Sequence, residues 1–309
     1  MRAGVRCKSF TLGGCFALLA APLFAQTPDL ADPLQARSDA RWIPAISLLT
    51  AGNFEGRKGT LESQERGRFD DDSAFALWSV AFSTELSTPA WSALPGRPRM
   101  FMHADVVAVF DPEAPVVNDG DPGPLRIVTQ RPDGGGLAPL NGVQGRGSTL
   151  RAQANPLALS AGAGVAFRTE IWERSLHIKP SIEWFWQQEQ IFGTLGEAES
   201  EGANPEFCGP CRTLFTSDSR KNDFHSLGPG LELELDAARI SDFVMTVFVS
   251  GRAYHILGGR KVAFESTGTW MVDGAPSTVR ADSTLTANYE REPWHFQAGI
   301  GVRVRWLPE

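Results

Sequence analysis

The sequence predicts an all-β fold, an up-and-down antiparallel barrel of eight strands, with ten as the alternative count. Three observations predict it. Apolar and polar residues alternate with period two in eight separate segments; short and long connections alternate between them; and beyond residue 25 no apolar run reaches the roughly 20 residues of a membrane-spanning helix. The 309 residues include 31 Gly, 21 Pro and 4 Cys without triplet period or heptads, which excludes collagen-like, coiled-coil and disulfide-scaffold classes.

Residues 1–25 read as a secretory signal peptide. Arg2, Arg6 and Lys8 precede an apolar run from Phe10 to Phe24, and Ala25 marks the cut. Leu12-Gly13-Gly14-Cys15 resembles a lipoprotein box, but the apolar stretch before Cys15 is too short and the run continues past it. Cleavage removes three cations and no anions, so the formal charge moves from −7 to −10, a poor balance for a nucleic-acid partner. The mature chain is then expected to comprise a periplasmic N-terminal segment, 26–41, and one barrel domain, 42–309. Its remaining cysteines, Cys208 and Cys211, spell a CGPC redox motif, but loop-like flanks favour a disulfide pinning an exported loop.

In chain order, the first strand candidate is Trp42 to Phe54, interrupted by Pro44 and Gly52. In Phe75 to Ser87, Trp78, Val80, Phe82 and Leu86 oppose Ser79, Ser83 and Glu85. Met100 to Asp111 places His103 and Asp105 on one face. Leu157 to Ile171 sets Leu159, Ala161, Ala163 and Val165 against Ser160, Gly162, Gly164, Arg168 and Glu170. From Leu176 to Trp186 the polar face is His177, Lys179, Ser181 and Glu183, with Phe185 an exception. Leu227 to Leu235 and Phe243 to Ala253 repeat the pattern. The clearest segment comes last, where Trp294, Phe296, Ala298, Ile300, Val302, Val304 and Trp306 alternate with His295, Gln297, two glycines, Arg303 and Arg305.

Short links fall at Thr88 to Pro98, Trp172 to Ser175 and Ala237 to Asp242. Long loops rich in Gly, Pro, Asp and Ser are expected near 56–72, 112–147, 194–222 and 265–287. Thr149 to Asn155 and Thr267 to Asp273 are the segments that raise the count to ten. An even count with alternating links puts all long loops on one rim and both termini on the other.

These features together resemble the small outer-membrane β-barrels of Gram-negative bacteria, over most of residues 42 to 306 and in pattern rather than in any invariant motif. The chain departs from them in ending Leu-Pro-Glu after Trp306, where such barrels often finish on an aromatic. The resemblance implies a transmembrane barrel in the bacterial outer membrane, whose partners are membrane lipid, lipopolysaccharide and the barrel-assembly machinery. Face composition agrees: Trp42, Trp184, Trp186, Trp294 and Trp306 lie on the apolar face, and glycines mixed with charges of both signs suit a narrow lumen. The expected lumen fillers are Glu85, His103, Asp105, Arg168, Glu170, Lys179, Glu183, Glu232, Glu234, Arg252, Arg303 and Arg305. They read as a charge-paired structural network that leaves no open pore.

Catalytic signals are weak. No histidine pair has zinc-type spacing, Gly134-Gly135-Gly136 lacks the lysine and helix of a phosphate loop, and neither a cofactor nor a metal is expected. Asp70-Asp71-Asp72 and Asn118-Asp119-Gly120-Asp121 lack calcium-loop spacing and read as solvated turns. His225 and His255, on strands joined by one short turn, fall close together with Asp223 on the lipid-facing side. Outer-membrane enzymes that modify lipid A acyl chains use Ser, His and an acid near that level, but here Ser226 points inward and Ser219 lies in a loop. The leading reading is therefore a non-enzymatic barrel with a structural or surface-binding role. A lipid A-modifying enzyme and a soluble periplasmic β-barrel binding protein are the alternatives.

Overall fold

A computed structural model describes residues 39–91, 93–110, 112–120, 147–172, 174–200, 211–272, 275–276 and 282–307. The signal-peptide reading of 1–25, most of the 26–41 segment, Gly134 to Gly136 and Cys208, expected to pair with Cys211, lie outside the described residues. The alternation becomes thirteen strands: β1 (Ile43–Ser63), β2 (Gly67–Ser87), β3 (Arg99–Phe110), β4 (Glu113–Gly120), β5 (Gly147–Ala154), β6 (Leu157–Ile171), β7 (Arg174–Ser200), β8 (Cys211–Ile240), β9 (Phe243–Leu257), β10 (Lys261–Gly268), β11 (Met271–Val272), β12 (Ala275–Pro276) and β13 (Ser283–Trp306).

Eight of these close a ring, β1-β2-β3-β6-β7-β8-β9-β13 and back to β1, with every pairing antiparallel. The segments that suggested ten strands do contain strand, yet they leave the circumference unchanged. β5 runs on from β6 along β7, and β10 runs on from β9 along β13. Between β9 and β10 the chain holds extra residues against β13, and Gly258 takes the left-handed turn there, φ 84°, that its lack of a Cβ permits.

Three short connections and both ends of the ring sit on one rim, as the alternating link lengths require. At the other rim the long-loop expectation needs correction. Residues 56–72 are a ladder: β1 and β2 stay in register from Ile43↔Ser87 to Ser63↔Gly67. Residues 194–222 are also mostly ladder, since β7 and β8 pair from Leu176↔Leu235 to Ser200↔Cys211. The other two segments supply β4, half of β10, β11, β12 and the start of β13.

The cause of the misreading is a change of polarity along each strand. In the lower half, nearest the short turns, outward residues are apolar: Ile46, Leu48, Phe82, Val106, Leu159, Ile182, Leu233, Val249 and Ile300 are all exposed. Aromatic and large apolar residues bound this girdle, with Trp42, Phe243 and Trp306 below and Phe54, Trp78, Phe110 and Trp294 above. From Trp294 to Trp306, at about 3.3 Å per residue and a tilt of about 40°, it stands about 30 Å tall. Above it the faces invert. Lys58, Asp72, Lys221 and Asn288 point out, while Leu61, Leu150, Ile191, Leu195, Leu214, Phe264, Trp270 and Leu285 pack inside as an apolar core. The β4–β5 hairpin joins that core, with Val116, Val117 and Leu150 crowding the space over Gly59. Outward polar residues in the upper half imitate a loop composition while the strand simply passes into water. A soluble barrel has no use for an exposed apolar girdle on all eight strands, and the lower half is a transmembrane barrel wall.

Candidate functional site

The lumen is built by inward positions of neighbouring strands in stacked layers. Lowest is a cluster of three cations and three carboxylates. Lys179 on β7 faces Glu232 on β8 in the ladder, and its Nζ lies 2.6 Å from Glu85, 3.0 Å from Glu232 and 3.3 Å from Glu234. Arg303 donates to Glu234 at 2.6 Å and to Glu232 at 3.0 Å, and Arg305 Nε donates to Glu234 at 3.0 Å. Lys179 also sits 4.5 Å over the Phe101 ring, and Arg303 4.5 Å over Phe248.

One step higher, His103 places Nδ1 2.9 Å from Asp105 and Nε2 3.1 Å from Glu183. Arg252 donates to Asp105 at 2.8 Å, and Ser160 donates to the same carboxylate at 2.6 Å. Glycines make this reach feasible. Gly162 on β6 stands between His103 on β3 and Glu183 on β7, and a Cβ there would collide with both side chains. Gly230 on β8 likewise stands between Ser181 on β7 and Arg252 on β9. The inward glycines are therefore the gaps across which charged groups of next-but-one strands meet.

Of the expected lumen fillers, Glu85, Lys179, Glu232, Glu234, Arg303 and Arg305 share the lower cluster, and His103, Asp105, Glu183 and Arg252 share the upper one. Arg168 sits at the mouth, donating to Ser175 at 2.6 Å. Glu170 is a correction: its side chain is 60% exposed, because β6 has by then passed the rim toward its turn. Phe185, an exception to the alternation in sequence terms, points inward with its face and packs on Tyr254 and His295, with ring centroids 5.2 and 5.1 Å away.

Sequence reasoning missed a third charged layer at and just above the upper aromatic level. Arg57 and Arg291 both bind Glu55; Arg57 also donates to Glu189 at 2.8 Å, and Arg291 lies 3.3 Å from it. Tyr289, above the girdle, donates to Glu189 at 2.7 Å. Burial, and then the Glu189 carboxylate, hold the Tyr289 hydroxyl well above its ordinary pKa. The missed signal was the continued parity of Glu55, Arg57, Gly59 and Leu61 past Phe54. Over this layer lies the apolar core of the extension.

This arrangement does little chemistry. Ser160 and Ser181 donate to carboxylates rather than to an imidazole, so neither is activated as a nucleophile. Among the described residues, no group of three His, Cys, Asp or Glu side chains is placed to hold a metal ion. His225 and His255 do face outward at the upper aromatic level, two residues apart in register. His225 stacks on Trp184 at 6.0 Å, and His255 meets Trp294 edge-on at 4.9 Å. Asp223 takes a hydrogen bond from Gln188 at 3.1 Å, Ser219 takes one from Gln190 at 3.0 Å, and Ser226 is buried inside. These residues do not assemble into a Ser-His-acid constellation.

No family model matches the chain, and no curated protein matches it. Among solved structures, the outer-membrane protease OmpT of Escherichia coli is 8% identical, covering 85% of this chain and 95% of that one, with a TM-score of 0.18. The TodX monoaromatic hydrocarbon channel deltaS2 mutant is 7% identical, covering 84% and 90%, with a TM-score of 0.19. A Pseudomonas aeruginosa FadL homologue is 7% identical, covering 86% and 90%, with a TM-score of 0.14. Scores this low carry no argument, and the eight-stranded antiparallel barrel stands on its own hydrogen-bond register.

Proposed function

We propose that the protein is an integral barrel of the bacterial outer membrane, exported by its signal peptide and inserted by the barrel-assembly machinery. It serves a structural or surface-binding role and conducts nothing. The observation that carries this reading is the pairing of an apolar outward girdle with a lumen closed at three heights by ion pairs and capped by an apolar core. Ions crossing such a lumen would have to displace paired charges and then pass Leu150, Ile191 and Leu195. The outward cations Lys58 and Lys261, 55% and 75% exposed above the girdle, suit the phosphates of lipopolysaccharide. Fractionation and planar-bilayer recording test the reading together: the protein stays with outer membranes until detergent is added, migrates in a heat-modifiable way, and gives no conductance steps. Release into aqueous buffer, or stable ohmic channels from the purified protein, overturns it.

A further inference from the structure

Among the described residues, the short-turn mouth of the lumen is not filled. A cavity of about 310 Å³ opens there, below the Lys179 layer, and six arginines line it: Arg97, Arg99, Arg168, Arg174, Arg239 and Arg305. Four carboxylates share the lining, and each already has its cations. Glu85 and Glu234 belong to the Lys179 cluster, and Asp236 lies 3.4 Å from Arg305. Asp39, just ahead of β1, is held by two guanidiniums, 2.9 Å from Arg97 and 2.7 Å from Arg99.

That leaves an excess of cation on the other side of the mouth. The nearest carboxylate to Arg168 is Glu170, 3.6 Å away and largely exposed. Among the described residues, Arg174 donates only to the carbonyls of Asp236 and Ala237, at 3.3 and 2.9 Å. Arg239, exposed at the β8 end, has no ion-pair partner among the described residues. The grip on Asp39 shows that this rim accepts an oxyanion between two guanidiniums, each donating to one of its oxygens.

We propose that the mouth is a binding site for a small soluble phosphate monoester, its phosphate held by Arg168 and Arg239 and its polar remainder filling the cavity. Size and chemistry both point to this class. The volume lies at the lower end of known ligand pockets, the lining is rich in cations, and Ser175 and His177 add further hydrogen-bonding groups. Its lining is drawn from inward positions such as Glu85, Lys179 and Glu234 rather than from the outward girdle, which favours a solute over a lipid headgroup. The assignment does not depend on the barrel's surface role, only on the mouth meeting water.

The test uses the full chain folded in zwitterionic detergent, with glucose 6-phosphate as probe and glucose as the neutral control, read by phosphorus NMR line broadening and by calorimetry. Saturable binding of the phosphate ester, absent for glucose, is the expected result. Arg239→Gln, at the exposed end of β8 where folding is not at stake, and Arg168→Gln each weaken binding about tenfold, the worth of one charge-assisted hydrogen bond. Lys221→Gln, on the outer wall of the extension, leaves it unchanged. No saturable binding, equal binding of glucose, insensitivity to both arginine variants, or displacement by an equimolar amount of micellar phosphatidylglycerol overturns the proposal.

Discussion

Replacing Lys179 with Met tests the logic of the lumen most directly. Met keeps most of the aliphatic stem over Phe101 and removes only the charge. In the intact layer Lys179, Arg303 and Arg305 balance Glu85, Glu232 and Glu234; without Lys179 one buried carboxylate is uncompensated, and Glu85, 2.6 Å from the missing ammonium, is the most affected. Deleting one partner of a buried ion pair costs about 3–5 kcal/mol. At a urea dependence of about 2 kcal/mol per molar, the unfolding midpoint in lipid vesicles falls by about 2 M. The second variant, Lys179→Met with Glu85→Gln, restores two cations against two carboxylates and recovers at least about 1 kcal/mol of that loss as coupling between the sites. Tryptophan fluorescence against urea, with gel mobility as a parallel probe, reads both. Lys179→Met within about 1 kcal/mol of wild type, or a double variant no more stable than Lys179→Met, refutes the charge-balance account.

Other perturbations separate the two zones of the wall. Leu195→Ala, in the fully buried core of the extension, costs about 2–5 kcal/mol and lowers the temperature at which the folded gel band disappears. Ile300→Arg, near the middle of the girdle, costs about 2–4 kcal/mol in folding into vesicles, whereas Asn288→Arg on the same outward face above the girdle changes stability by less than about 0.5 kcal/mol. Tyr289 ionises only on unfolding. In a Tyr254→Phe background it is the sole tyrosine, and its phenolate absorbance stays absent in folded protein as pH rises past 10; because the folded-state pKa is raised, stability is retained below the ordinary tyrosine range and declines above it. Finally, His225→Ala and His255→Ala leave the lipid A species seen by mass spectrometry unchanged, since each imidazole packs on a tryptophan with no hydroxyl nucleophile beside it.

The parts of the fold legible in the sequence are those where a single rule holds along the strand. Trp294 to Trp306 shows its face assignment without any structure, because lipid outside and charge inside give maximal contrast. The contrast fades where both faces are mixed: Leu49, Leu77, Val107 and Val109 point into the lumen and pack with Phe185 and Phe248, so the inward face of β1, β2 and β3 is partly apolar. It reverses above the girdle, where Asp70, Asp71 and Asp72 look like a turn but lie in β2 opposite Thr60, Gly59 and Lys58. Composition describes the solvent that a face meets, and only periodicity describes the backbone. The Glu55–Arg57–Glu189–Arg291 layer was lost for the same reason, since it lies where the outward face ceases to be apolar. Which arginines converge on the mouth was not readable at all. Arg99, Arg168 and Arg239 are far apart in the chain, and only the pairing of β3 with β6, β6 with β7 and β7 with β8 brings them to one cavity.

The ion-pair layers solve a problem that the apolar girdle leaves open. Sliding one strand by a single residue exchanges its faces and puts charge into lipid, so the girdle forbids it strongly. A slide of two residues keeps every face correct and costs the girdle almost nothing, because Ile, Val and Leu in successive outward positions are nearly equivalent to hydrocarbon. The lumen is not equivalent under that slide. Moving β7 by two residues would carry Lys179 to the level of His177 or Ser181 and leave Glu85, Glu232 and Glu234 short of a cation. It would also place Ser181 or Phe185 where Glu183 meets His103 across Gly162. The same slide would bring side chains onto the glycines that make these reaches possible. Lipid thus fixes which face of each strand points outward, and the charged layers with their glycine gaps fix how far along each strand sits. Such a barrel needs both, which is a reason for it to hold so many charges inside its wall.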